Sequence, residues 1–194
     1  MQKVISTIVL SIVSISVNYF LNYKKFSIGF KLCFIIILFI NILFYIMDYY
    51  LFRSLFEDYL ASNLLISFLL SITFEDIKTK MMDMRVIIGY FIVFLLYRII
   101  FLDLAIFLEG LVGFALCLVI LLVSYFVKRD SIGIGDIAAI STCGMIIGFP
   151  NIFHFLFKAF LFVFLYGIFL IATKKKNKID EIPLAPFLLI ATII

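Results

Sequence analysis

Charged residues are scarce in this sequence. Only 14% of its 194 residues are Asp, Glu, Lys or Arg, whereas soluble domains carry about a quarter. Hydrophobic residues make up 66% of the chain, and the mean hydropathy is +1.29. This composition excludes an ordinary soluble globular protein and predicts an integral membrane protein that contacts the lipid bilayer.

Paired cysteines and histidine clusters are also lacking. Cys33, Cys117 and Cys143 are scattered and form no Cys-x-x-Cys pair, and the single histidine, His154, lies in an aromatic run. A thiolate or imidazole zinc site needs several such ligands at short spacings. The sequence therefore predicts no metal site and no cofactor. The net charge of +4 is spread over short tracts between apolar segments, so we do not expect nucleic-acid binding.

Long apolar runs dominate the remaining sequence. A membrane-spanning helix needs about 20 apolar residues, so the runs predict an all-α, polytopic membrane protein with about eight transmembrane helices, of which the third, sixth and eighth are short. We expect two N-terminal transmembrane helices in residues 1–58 and a six-helix unit in 59–194. The apolar runs lie at about 4–21, 32–51, 59–74, 85–101, 104–127, 137–149, 152–172 and 183–194.

Basic residues alternate between the loops in a way that predicts orientation. If the loop after the first helix is cytoplasmic, twelve of the sixteen basic residues face the cytoplasm, as the positive-inside rule requires. The protein is then a multi-pass cell-membrane protein whose Asp76 and Asp136 both lie at the cytoplasmic face. The twelve are Lys24, Lys25, Lys31, Lys78, Lys80, Arg85, Lys128, Arg129, Lys174, Lys175, Lys176 and Lys178.

These two aspartates are the candidate chemical groups. A carboxylate at the centre of a membrane helix costs roughly 2.5–3.5 kcal/mol, so an acid beside an apolar segment suggests function. Two carboxyl groups held close share a proton, which allows one to activate water while the other polarises a carbonyl. Gly133 and Gly135 precede Asp136, and we expect them to permit positive φ angles or the close approach of another backbone.

Simpler interpretations exist for the neighbouring acids. Taken by itself, Asp136 can be interpreted as the N-cap residue of a helix that follows a glycine turn. Glu75 is expected to be a solvated carboxylate at the membrane edge. Asp83 lies seven residues after Asp76, a spacing that would place both on one helical face, so Asp83 competes with Asp76 as the first candidate acid.

Three stretches resemble one family. Gly133-Ile134-Gly135-Asp136 matches the GxGD motif of intramembrane aspartic peptidases, and Asp76-Ile77-Lys78-Thr79-Lys80 resembles the first-aspartate segment of type IV prepilin peptidases. Ile182-Pro183-Leu184-Ala185-Pro186-Phe187-Leu188 resembles the stretch that opens the last helix of that family. Pro183 and Pro186 are the two prolines of this last stretch, and they support the resemblance to the family.

The resemblance covers about residues 59–194 and implies a membrane-embedded endopeptidase. It implies that Asp76 and Asp136 are the catalytic aspartates and that the substrate is a prepilin-like or pseudopilin precursor cut at its leader. Many relatives carry a cysteine-containing loop between the first two helices and methylate the new N-terminus. Here that loop spans only about Asn22 to Lys31 without paired cysteines, so this short form is expected to lack methyltransferase activity.

Two departures and two alternatives accompany the resemblance. Met81-Met82-Asp83 stands where the family usually has Ile-Pro-Asn, so the start of the next helix is expected to be less constrained. Leu184-Ala185 replaces the usual Phe-Gly.

A preflagellin-like or other membrane precursor is an alternative substrate. A proton- or cation-coupled transporter or an assembly subunit is an alternative of a different class.

Overall fold

All elements in the described part of the chain are α-helices. The computed structural model describes residues 59–128, 132–173 and 182–193, so the two N-terminal helices predicted within residues 1–58 lie outside it. The six helices are α1 (Tyr59–Thr79), α2 (Met84–Phe101), α3 (Leu104–Val127), α4 (Ile134–Ile147), α5 (Asn151–Ala172) and α6 (Ala185–Ile193).

The chain divides into two compact units, and the division falls inside α1. Met1–Ser71 forms the first unit and Ile72–Ile194 the second. In the described part of the first unit, Leu64, Leu65 and Phe68 are buried. Both candidate aspartates belong to the second unit, which is therefore the one that positions the candidate site.

Among the described residues, two helices are long and apolar enough to cross a membrane. They are α3, with 24 residues, and α5, with 22. Large apolar side chains on both are exposed, among them Val123 on α3 and Phe164 on α5. Such surfaces suit lipid rather than water. Their length, composition and exposed apolar side chains are those expected of membrane helices.

The short helix α4 is the core of the second unit. It packs against α2, α3 and α5, while α6 packs against α5. Every residue of α4 from Ala139 to Ile147 is buried. The helix is only 14 residues long because Gly148, which has a φ of 80°, ends it.

Close packing of α3 on α4 depends on two facing glycines. A Cβ atom on Gly113 would lie 2.6 Å from the carbonyl oxygen of Gly144, and a Cβ on Gly144 would lie 2.6 Å from that of Gly113. Glycine at both positions lets the two backbones approach closely, as small residues do between membrane helices.

A buried arginine joins three helices at the C-terminal end of α4. Arg98 of α2 is only 3% exposed. Its guanidinium donates hydrogen bonds to the carbonyl oxygen of Ile106 in α3 and, at 3.0 Å, to that of Ile146 in α4. Ile146 is among the last residues of α4, whose carbonyls have no partner within the helix. Arg98 therefore fixes the end of α4 that lies away from Asp136.

Candidate active site

Asp76 lies in the last turn of α1 and is only 4% exposed. One of its carboxylate oxygens, Oδ2, accepts a hydrogen bond from the main-chain N–H of Ala185, with 2.8 Å between N and O. The two residues are 109 positions apart in the sequence. This hydrogen bond therefore joins the Asp76 segment to the proline-containing segment that was expected to accompany it.

The segment after Pro183 presents this N–H because it begins a helix. The first N–H groups of a helix have no intrahelical partner, and Ala185 is the first residue of α6. Pro186 follows at the second position, where the absence of an N–H costs little. The carbonyl oxygen of Leu184 accepts the N–H groups of Phe187 and Leu188 at 3.0 and 3.2 Å. The chain thus turns at Leu184 and leaves the Ala185 N–H directed at Asp76.

Asp136 lies in the first turn of α4 and is partly exposed. The N-cap of α4 is Gly133, so Asp136 is not the cap itself. A Cβ atom on Gly133 would lie 3.0 Å from Oδ2 of Asp136. The first turn of a helix favours a negatively charged side chain, and the missing side chain of Gly133 leaves room for this one.

The expectation of positive φ angles at these glycines was wrong. Gly133 has φ −67° and ψ 144°, which any residue can adopt, and Gly135 lies within the helix. The nearest neighbours of both glycines are side chains of this chain, whereas the expected approach was that of another backbone. Gly133 approaches the carboxylate of Asp136, and a Cβ on Gly135 would lie 3.2 Å from Cβ of Met82. A side chain at either glycine would therefore crowd the Asp136 carboxylate or Met82.

The contact between Gly135 and Met82 brings the two aspartate segments together. Met82 lies in the loop between α1 and α2, six residues after Asp76, and Gly135 directly precedes Asp136. Helix α1 ends before this loop because Lys80 adopts a left-handed conformation with φ 53°, while its N–H donates to the carbonyl oxygen of Asp76 at 2.9 Å. The loop after one aspartate thus packs on the residue before the other.

The prediction of a solvated Glu75 was wrong. Glu75 is 8% exposed, and its Oε2 accepts a hydrogen bond from the main-chain N–H of Asp83 at 3.1 Å. Glu75 lies inside α1, which extends to Thr79, five residues beyond the end of the predicted apolar run. A hydrogen bond of this kind compensates a buried polar group for its lost hydration.

Asp83 is the N-cap of α2. Its Oδ1 accepts a hydrogen bond from the N–H of Arg85 at 2.9 Å, and its carbonyl oxygen accepts the N–H of Val86 at 3.1 Å. The start of this helix has no proline, but two hydrogen bonds hold it: the Asp83 side chain accepts the N–H of Arg85, and the Asp83 N–H donates to Glu75.

Ligands for a metal ion are not gathered anywhere in the described ranges, which contain no group of three or more His, Cys, Asp or Glu residues suited to one. His154 is exposed on α5. Cys117 on α3 and Cys143 on α4 are buried free thiols. The carboxyl groups near α1 and the start of α4 are thus the candidates for chemistry in this part of the chain.

Comparison with known protein families supports the same region. Residues 63–168 match the type IV leader peptidase family, and this range covers more than half of the chain. It contains Asp76, Asp136, Gly133 and Gly135, whereas Pro183 and Pro186 lie beyond its end. No curated protein and no solved structure matches the chain.

Proposed function

The chain belongs to the type IV leader peptidase family, and we propose that it is an aspartic endopeptidase that removes the leader peptide of prepilin-like or pseudopilin precursors. The observation that carries this proposal is the meeting of three sequence segments. Asp76 accepts the N–H of Ala185, and the loop after Asp76 packs through Met82 on Gly135. Asp76 and Asp136 are the proposed catalytic residues.

In the proposed mechanism the two carboxyl groups share one proton. The ionised group removes a proton from water as the water oxygen bonds to the carbonyl carbon of the scissile peptide. The protonated group donates a hydrogen bond to the carbonyl oxygen and stabilises its developing negative charge. As the C–N bond breaks, the leaving nitrogen takes up the proton that was removed from water, and the two carboxyl groups again share one proton. No metal or organic cofactor is needed for these steps.

Asp76 is preferred over Asp83 as the partner of Asp136. The Asp83 carboxylate caps α2 by accepting the N–H of Arg85. If Asp83 instead took part in catalysis, this N–H would lose its acceptor. Asp76 instead is held by a hydrogen bond from outside its own helix, from the start of α6. Fixing a catalytic carboxylate by a distant main-chain donor is the kind of orientation that two-acid catalysis requires.

We propose that the site faces the cytoplasm in a protein with eight transmembrane helices, two of them within residues 1–58 and six in 59–194. The positive-inside distribution supports this orientation. The direction of the helices is consistent with this orientation, because Asp76 lies at the end of α1 and Asp136 at the start of α4, whereas Arg98 holds the opposite end of α4. The leader of a prepilin-like precursor is also cytoplasmic in this arrangement.

A cell-free cleavage assay tests the proposal. Wild-type protein in membranes is mixed with a prepilin-like substrate, and Asp76→Asn and Asp136→Asn are compared with Asp103→Asn, a matched change at the exposed Asp103 before α3. Loss of general acid–base catalysis should slow cleavage about 10²- to 10⁴-fold in the first two variants and leave the control unchanged.

Three outcomes would contradict parts of the proposal. Retained cleavage in either of the first two variants would refute the two-aspartate mechanism. Wild-type activity on a preflagellin-like precursor alone would reassign the substrate class. Proton or cation flux into vesicles without cleavage of any precursor would favour the transporter alternative.

A further inference from the structure

Glu75 is a buried acid that the proposed mechanism does not use. It is adjacent to Asp76 in α1 and only 8% exposed. A carboxyl group pays a large desolvation cost when it is buried, so its position calls for a compensating interaction. The structure supplies one in the hydrogen bond from the Asp83 N–H to Oε2 of Glu75, at 3.1 Å.

This hydrogen bond completes the N-terminal cap of α2 from outside the helix. In a capping box, the side chain of the third helical residue accepts the N–H of the N-cap residue. The third residue of α2 is Val86, which has no side-chain acceptor. Glu75 of the preceding helix fills that role, while the Asp83 side chain accepts the N–H of Arg85. The end of α1 and the start of α2 are thereby joined.

The segment between these two points carries Met82 to the GxGD motif. It contains only Lys80, Met81 and Met82, with Lys80 in the left-handed conformation that ends α1. Cβ of Met82 lies 3.2 Å from the position that a Cβ of Gly135 would occupy. A loop this short, fixed at both ends, has little freedom to move away from Gly135.

We propose that Glu75 is a positioning residue that sets the spacing between Asp76 and Asp136. By accepting the Asp83 N–H it holds the loop of residues 80–82 against Gly135, and Gly135 directly precedes Asp136. Its effect on catalysis rests on the proposed peptidase function, whereas its effect on the loop does not. Glu75 acts through the backbone and touches neither the substrate nor water in the reaction.

Steady-state kinetics separates this role from a contribution to binding. Displacement of a catalytic group by about 1 Å can cost roughly 10²-fold in rate, so Glu75→Ala should lower kcat by about 10- to 100-fold and leave KM nearly unchanged. Glu75→Gln keeps an oxygen that accepts the Asp83 N–H and should retain most of the wild-type kcat. Asp103→Ala, at an exposed acid whose side chain makes no capping hydrogen bond to α3, is the control.

A thiol-labelling experiment reads the loop directly and needs no activity. Met82→Cys is introduced after Cys33→Ser, Cys117→Ala and Cys143→Ala, and its maleimide labelling rate is measured in membranes. Local opening exposes a partly buried thiol, so adding Glu75→Ala should raise the rate several-fold, whereas Glu75→Gln and Asp76→Asn should not. Should Glu75→Ala fail to accumulate, Glu75→Asp, whose carboxylate is one methylene shorter, replaces it.

The results distinguish the two proposals. An unchanged labelling rate in Glu75→Ala, or a Glu75→Gln variant as slow in cleavage as Glu75→Ala, would overturn the role of Glu75. A wild-type protein that cleaves no precursor would instead contradict the peptidase proposal, and the labelling rates would still decide whether Glu75 holds the loop.

Discussion

The N–H of Ala185 lies 2.8 Å from the Oδ2 oxygen of Asp76, although 109 positions separate the two residues. The bond involves a main-chain donor, so it depends on the backbone at position 185 and not on the side chain there. This explains how alanine can stand where the resemblance leads one to expect glycine: both residues supply the same N–H.

Ala185→Pro should therefore reduce activity by removing that N–H. A hydrogen bond to a charged group contributes about 1.5–3 kcal/mol, which corresponds to roughly a 10- to 100-fold loss of kcat if the bond orients Asp76 in the transition state. The first position of a helix tolerates the proline backbone. Initial cleavage rates measure the effect, with protein amounts checked by immunoblot.

Two further substitutions at the same position are the controls. Ala185→Gly keeps the N–H and should stay within a few-fold of wild type. Because Ala185 is fully buried, Ala185→Val tests added bulk with the N–H retained. A loss in Ala185→Val as large as that in Ala185→Pro would show that crowding, and not the missing donor, is responsible.

Gly133→Ala should displace the Asp136 carboxylate without disturbing the fold. Its new Cβ would lie 3.0 Å from Oδ2 of Asp136, while φ −67° and ψ 144° suit alanine. We expect a fall in kcat of roughly tenfold or more, since misplaced catalytic groups are costly, with only a small decrease of the melting temperature in detergent, because alanine is a poorer N-cap than glycine. Gly167→Ala is the matched control, because its nearest contact would be an ordinary 3.7 Å to Cδ1 of Ile182. Wild-type cleavage by Gly133→Ala would contradict the proposed crowding.

Gly113→Ala and Gly144→Ala should destabilise the protein. Each added Cβ would meet a backbone oxygen of the facing helix at 2.6 Å, so α3 and α4 must move apart. Overpacking of this kind typically costs about 1–3 kcal/mol. Thermal unfolding in detergent, followed by circular dichroism, should show a lower melting temperature for both variants than for Gly167→Ala. Equal melting temperatures would mean that the two helices separate at little cost.

Arg98→Met should destabilise the end of α4 that lies away from Asp136. The substitution removes both guanidinium hydrogen bonds and leaves the carbonyl oxygen of Ile146 buried without its donor. An unsatisfied buried group costs about 1–3 kcal/mol. Arg98→Lys should have an unfolding temperature between those of wild type and Arg98→Met, because an ammonium group cannot reproduce the planar fork of donors. Arg85→Met, at an exposed arginine of the same helix, provides the comparison; equal unfolding temperatures for it and Arg98→Met would contradict this role.

Helix positions were largely predictable from apolar runs, because membrane helices are long and continuous. The prediction of 104–127 is the range of α3, and the prediction of 152–172 differs from α5 by one residue. The failures lie at helix ends with polar or glycine residues. Helix α1 continues through Glu75 and Asp76 to Thr79, and α4 begins at Ile134, three residues before the predicted start. Hydropathy does not report whether a polar residue continues a helix.

The candidate site was predictable in its motifs but not in its connections. The order of the Asp76, GxGD and Pro183–Pro186 segments suggested one family, but not that the N–H of Ala185 donates to Asp76. The burial of Glu75 was not predictable, because it depends on a main-chain N–H eight residues later. The contact of Gly135 with Met82 likewise depends on tertiary packing that no local spacing encodes.

The bond between Asp76 and Ala185 has a consequence for the order in which the site is completed during synthesis. A ribosome makes the chain from its N-terminus, at about 5–20 residues per second, so both aspartates leave it well before residue 185. Until the start of α6 has been made, Asp76 lacks the N–H of Ala185. A nascent chain therefore carries both acids before its site is assembled, and the last described helix is the one that completes it.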